Sequence, residues 1–277
     1  MKIFVFLIFA AASLLAEPRI VTLSPAVNEI VFALGAGKSV VGTTKYANFP
    51  EEAKRLPRVG GYHDASLEKI VALAPTLVIT EASGIETTRK LEKLGIKTLS
   101  INIDSLASIK SAVTQIGMSV GKTAEAKRIT QKIDDGIKKL EATPRTKQKM
   151  LIVFGNNIDL SKNIYVAGNN LYFAELITKS GFENAVKRDK ATQPVLGLEG
   201  IIGCNPDIVV VLFPYTKEKK ITTAQIKAAW SALPINAAKR GSIFVLEEDY
   251  ISIPSDRITL FLEDLRKIVE AHHVNLR

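Results

Sequence analysis

A chain of 277 residues that is 47% hydrophobic exceeds the roughly 100–200 residues that usually share one core, so it has material for two cores of similar size. Only 6% aromatics, with 37 Lys/Arg against 28 Asp/Glu, exclude a membrane bundle and a disordered tail and describe a soluble globular protein. The net charge of +9 would suit nucleic acid, but the lysines are spread along helix-like stretches instead of interleaving with stacking aromatics, so a solvated face is expected. Attraction to an acidic partner or an anionic membrane surface stays open.

The chain opens on MKIFVFLIFAAASLLAEPR: a positive charge at Lys2, an apolar run from Ile3 to Ala12, then small residues leading to Ala16. This is the layout of a secretory signal peptide, and the run falls short of the about 20 residues that span a bilayer. Cleavage after Ala16 is expected, although Leu14 is large for its place in such a site. No cysteine stands near the cleavage point to take a lipid, so a mature protein free in an exported compartment is expected, and export argues further against nucleic acid.

Beyond the leader, short β-branched runs at RIVTL (19–23), VVGTT (40–44), TLVIT (76–80) and KTLSI (97–101) alternate with helical patterns at 26–36, 66–73 and 84–94. The pattern then changes to two helices, Leu106 to Met118 and Thr123 to Ala142, the second with Ile129, Ile133, Ile137 and Leu140 in one apolar stripe. PRTKQK (144–149) marks a boundary, after which MLIVFG, IYVAG, DIVVVLF and SIFVLE resume the alternation, closed by an amphipathic helix from about Pro254 to His273. The expected layout is a signal peptide over 1–16, an N-terminal α/β lobe over 17–105, a helical connector over 106–144 that includes the helix 123–142, and a C-terminal α/β lobe over 145–277.

One phrase occurs twice. SLEKIVALAPTLVI (66–79) and GLEGIIGCNPDIVV (197–210) share Leu, Glu, Ile, Pro and Val at one offset of 131 residues (199 − 68). Each copy reads as a short helix with Glu near its start, a proline break and a buried strand, one unit per lobe. Packing needs the proline and the valines. It does not need Glu68 and Glu199.

The blocks RIVTLSPAVNEIVFALGAGKSVVGTT, RVGGYHDASLEKIVALAPTLVI, GFENA, NPDIVVV and SDRI resemble the periplasmic substrate-binding proteins of ABC importers for cobalamin, iron-siderophores and haem. The resemblance covers nearly the whole mature chain. It implies two Rossmann-like α/β lobes joined by a single long helix, with the ligand in the cleft between them and a small closing motion. It also implies that Glu68 and Glu199 dock the protein to permease arginines, against the simpler reading that each favours its helix start through the dipole. LGAGKSV holds the GKS of a phosphate-binding loop, but the required earlier glycine is Phe32, so a helix stop is the reading.

Enzymatic chemistry finds little support. There is no G-x-S-x-G, and His63, His272 and His273 lack metalloenzyme spacing. His272 and His273 read as solvated helix caps, and Cys204, the single cysteine, as a small core residue. Candidate ligand residues follow strands: Tyr46, then Tyr62 and His63 after Gly60-Gly61, then Tyr250, with Arg257 at the start of the last helix. By resemblance, the aromatics hold a corrin or haem face, the arginine meets an anionic group, and Tyr62 falls where cobalamin-binding members stack an aromatic and haem-binding members place an iron ligand nearby. The only tryptophan, Trp230, lies in a predicted helix away from the cleft, a departure from the cobalamin pattern. The expectation is a monomeric binding protein without catalysis or resident cofactor, which delivers cobalamin, a ferric siderophore or haem to an ABC permease. Nickel or a nickel chelate is the alternative, an exported hydrolase a distant one, and bare zinc or manganese is disfavoured by the scarcity of histidine.

Overall fold

The structure, a computed structural model, describes residues 18–61, 64–155, 158–186, 193–214 and 216–275. The leader, Tyr62 and His63 lie outside the described residues.

The N-terminal lobe is a parallel sheet of β1 (Ile20–Thr22), β2 (Val40–Thr43), β3 (Leu77–Glu81) and β4 (Thr98–Ile101), in the order β2-β1-β3-β4. Its helices are α1 (Pro25–Ala33), α2 (Leu67–Ala72) and α3 (Ile85–Lys93). Both sheet faces are covered, and the strands alternate between them: Ile20, Ile79 and Ile101 pack toward α1, whereas Val21 and Val78 pack toward Ile70 and Leu91. Ser24 starts α1 by accepting a hydrogen bond from the Val27 amide, with Pro25 in the first turn.

Two antiparallel helices, α4 (Leu106–Ser119) and α5 (Thr123–Glu141), link the lobes. The stripe on α5 serves two cores: Ala126 and Ile129 pack in the N-terminal lobe, Ile133, Ile137 and Leu140 in the C-terminal lobe. Its 19 residues run about 28 Å, enough to reach from one to the other. The chain crosses between lobes through α5, but α4 shares the span. Leu106 and Ile109 pack in the C-terminal core, Ala112, Val113 and Ile116 in the N-terminal one, and the Leu106 amide donates to Glu175 Oε1 at 3.1 Å.

The C-terminal lobe has six strands: β5 (Lys149–Phe154), β6 (Ile164–Val166), β7 (Glu183–Asn184), β8 (Val195–Leu196), β9 (Ile208–Leu212) and β10 (Ile243–Leu246). They run β10-β9-β5-β6-β8, with β7 beside β5; β6 is antiparallel to both of its neighbours, β5 and β8, and the other pairs are parallel. Around them stand α6 (Tyr172–Lys179), α7 (Leu198–Cys204), α8 (Thr216–Lys219), α9 (Thr223–Ser231), α10 (Asn236–Lys239) and α11 (Ile258–Asn275). Trp230 on α9 is buried in the core on one side of this sheet, and Cys204 packs partly buried against the same core.

The repeated phrase is a repeated structure. The offset of 131 carries α2 onto α7 and both ends of β3 onto β9 (77 to 208, 81 to 212). It also carries Ala74, at φ 43°, onto Asn205, at φ 42°. Both helices stop on a left-handed residue just before proline, which cannot extend them.

Two expectations are corrected. The last helix begins at Ile258, not near Pro254, because Ser255 and Arg257 are held by other contacts described below. His272 is not a solvated cap: it is fully buried, with Nδ1 2.7 Å from Ser242 Oγ and Nε2 3.1 Å from Gln148 Oε1. Its turn of α11 faces the core.

Candidate functional site

Parallel α/β sheets present their ligand sites at the edge where the strands end. Here the ends of β3, β4 and β5 face one another across the lobes and enclose a cavity of about 570 Å³. From the N-terminal lobe come Ala26, Glu81 to Ser83 and Ile101 to Asp104; from the other come Phe154, Leu171 to Phe173, Gln193 and Ser252 to Pro254. A second space of about 350 Å³ shares Phe154, Gln193 and Ser252 and extends past Tyr165 and Pro214.

The two walls differ in chemistry. On the C-terminal side Phe154 meets Phe173 edge-on at 5.1 Å, Tyr172 stacks on Phe173 at 4.1 Å, and Phe173 in turn packs against Phe261 of α11. This anchors an aromatic wall to the core. Burial pushes the Tyr172 phenol far above its usual range, so it stays neutral. On the N-terminal side, burial raises the Glu81 pKa, the Asp104 charge adds to the rise, and a hydrogen bond from Ser24 opposes it.

Beside the cavity the lobes are tied a second time. Arg257, 8% exposed, donates from Nε to Glu29 Oε2 at 3.0 Å, from Nη2 to Glu29 Oε1, and from Nη1 to Asp249 Oδ1 at 2.7 Å. Glu29, on α1 and 2% exposed, also accepts from Ser255 Oγ, and the Phe49 ring covers the guanidinium at 3.8 Å. Burying either charge demands the other. Neighbouring Asp256 is pushed up to about 6, by burial first and by the Glu29 charge second.

The sequence-derived residues therefore divide. Arg257, expected to meet an anionic group, instead ties the lobes, donating four hydrogen bonds to Glu29 and Asp249, and does not line the cavity. Tyr250 is not on the cavity wall; its hydroxyl donates to Asp264 Oδ2 at 2.6 Å. Tyr46, half exposed, lies against Gly61, where a Cβ would come within 3.2 Å of its ring, and it too stands off the cavity wall. Tyr62 and His63 follow that glycine outside the described residues. Glu68 and Glu199 are exposed at the same place in the first turns of α2 and α7. Each helix leads into a parallel strand, so it starts at the cleft edge of its lobe.

Sequence reasoning missed the aromatic and acidic walls. Glu81 and Phe154 end their strands and Asp104 follows β4, the placement used to single out the tyrosines, but apolar and acidic strand ends read as ordinary packing and turn. Among the described residues no three His, Cys, Asp or Glu side chains gather as a metal-ligand set, and no helix is long and apolar enough to cross a membrane.

The sequence model for periplasmic binding proteins matches residues 20–250. A vitamin B12-binding protein of Salmonella paratyphi A is 28% identical over 202 residues, covering 72% of this chain and 73% of that one. An uncharacterized ABC transporter substrate-binding lipoprotein of Bacillus subtilis, YvrC, is 25% identical over 263 residues, covering 91% and 80%. The apo structure of the periplasmic heme-binding protein RhuT of Roseiflexus sp. RS-1 superposes with a TM-score of 0.76 at 24% identity, covering 92% and 99%. At that identity the likeness is one of fold.

Proposed function

The chain belongs to the periplasmic binding protein family, and from that premise we propose that it is the exported solute-binding component of an ABC importer, which captures a metal chelate between its lobes and hands it to the permease. The observation that carries this reading is the cavity of about 570 Å³ walled by both lobes at their strand ends, aromatic on one side and polar on the other. Relatives named for vitamin B12 and for heme support a chelate of the corrin or haem kind, and a ferric siderophore is proposed beside them. The metal is cargo held by its own chelator, so the protein needs no resident cofactor and performs no catalysis.

Binding follows from the geometry. A flat or bulky chelate places its apolar face on Phe154 and Phe173 and its polar edge toward Ser83, Asn102 and Gln193. Tyr62, which follows Gly60-Gly61 in the sequence, is proposed as a further contact, and His63 and Tyr46 as additional ones. Glu68 and Glu199 then offer the permease one acidic point per lobe, so docking senses the arrangement of both lobes at once. Export by the leader places the protein, as a monomer, in the periplasm.

Fluorescence titration with cobalamin, haemin and ferric siderophores tests the site. Saturable binding of one chelate is expected, weakened about tenfold or more in Phe154→Ala or Tyr62→Ala through loss of aromatic contact. Equal affinity in both variants would move the ligand elsewhere.

A further inference from the structure

Among the described residues of the cleft wall, the charged side chains are Glu81 and Asp104, both acidic and both from the N-terminal lobe. Arg257, the cation nearest in sequence to the Ser252–Pro254 stretch of the wall, has its donors on Glu29 and Asp249. Two helices also start at the wall, α1 near Ala26 and α6 at Tyr172, and helix starts attract anions. Each already has a carboxylate: Glu81 lies near Ser24, the cap of α1, and Glu175 stands in the first turn of α6. The described cleft is thus acidic on one wall and largely aromatic and uncharged on the other. Burial raises the Glu81 pKa. A ligand N–H would favour its charged form.

Resting on the reading of this cleft as a chelate site, we infer that Glu81 and Asp104 set its specificity: they select a chelate that presents amide or ammonium N–H donors and carries no net negative charge, and they turn away chelates edged with carboxylates or catecholates. An incoming N–H makes a charge-assisted bond to either carboxylate. An incoming anion is stripped of water and meets like charge, which is discrimination by repulsion.

The test uses the mature protein and four probes: ferrioxamine B, a cationic amide-bearing chelate; cyanocobalamin, fringed with amides and neutral overall; and the anionic haemin and ferric enterobactin. Each is titrated at low and high salt. Tightest binding is expected for one of the first two, and in Glu81→Gln/Asp104→Asn that affinity falls about tenfold, the scale of a partly desolvated charge contact. Binding of haemin and ferric enterobactin holds or tightens in the same variant. Asp104→Asn alone, at an exposed position, gives a smaller change of the same sign and guards against a folding defect at Glu81. A wild type that prefers haemin or ferric enterobactin, or a double variant with unaltered preferences, overturns the inference and leaves the chelate reading standing. Failure to bind all four overturns the chelate reading and the inference with it.

Discussion

Arg257 and Glu29 are each buried and each complete the other across the lobes. Removing one leaves a charge in the interior, which typically costs about 3–5 kcal/mol. Arg257→Met is therefore expected to lower the denaturation midpoint sharply, and Glu29→Gln/Arg257→Met to recover much of the loss; equal midpoints for the wild type and the single variant would contradict the tie. His272 gives a pH signature. Burial first, then the charges of His273 and Arg240, push it down to about 4, below the about 6.5 of the unfolded chain. The unfolded state takes up the proton first, so the contribution is complete above pH 6.5 and is lost as pH falls toward 4. Urea denaturation should show a loss of about 1–3 kcal/mol over that window, and His272→Gln a flatter profile. Neither role was legible beforehand. A histidine near a helix end and an arginine after a proline look alike whether solvated or buried, because the partners, Ser242 and Glu29, are 30 and 228 residues away in sequence.

At the scale of elements, the two copies of the helix-strand unit put Glu68 and Glu199 in matching first turns. If they only favour their helix starts, Glu68→Gln/Glu199→Gln costs about 0.3–1 kcal/mol per site and leaves uptake alone. If they dock, ligand affinity and stability hold while uptake falls. We expect the second outcome in liposomes carrying the cognate permease; wild-type uptake by the double variant would reject it. The units themselves were readable because helix, left-handed stop, proline and buried strand each leave a local mark. The parallel strands and α5 were readable for the same reason, by β-branched runs and a 3.6-residue stripe. β7 and β8 left no such mark: each has two residues, and pairing with distant strands defines them. That α4 shares the span with α5 was less legible, because its small residues conceal how its two ends enter different cores.

For the whole molecule, two lobes held by α4, α5 and the Glu29–Arg257 tie form a cleft whose shape is largely set before ligand arrives. Preorganisation of this kind favours tight capture with little closing motion. The cleft position was legible from the strand ends alone, whereas its chemistry depended on which side chains the two lobes bring face to face. The most direct test is the visible absorption spectrum of the protein without residues 1–16, after incubation with each chelate and removal of free ligand by gel filtration. The account predicts that one chelate stays bound at one per chain, with a shifted band that is lost in Phe154→Ala. Protein that emerges colourless from every chelate would contradict it.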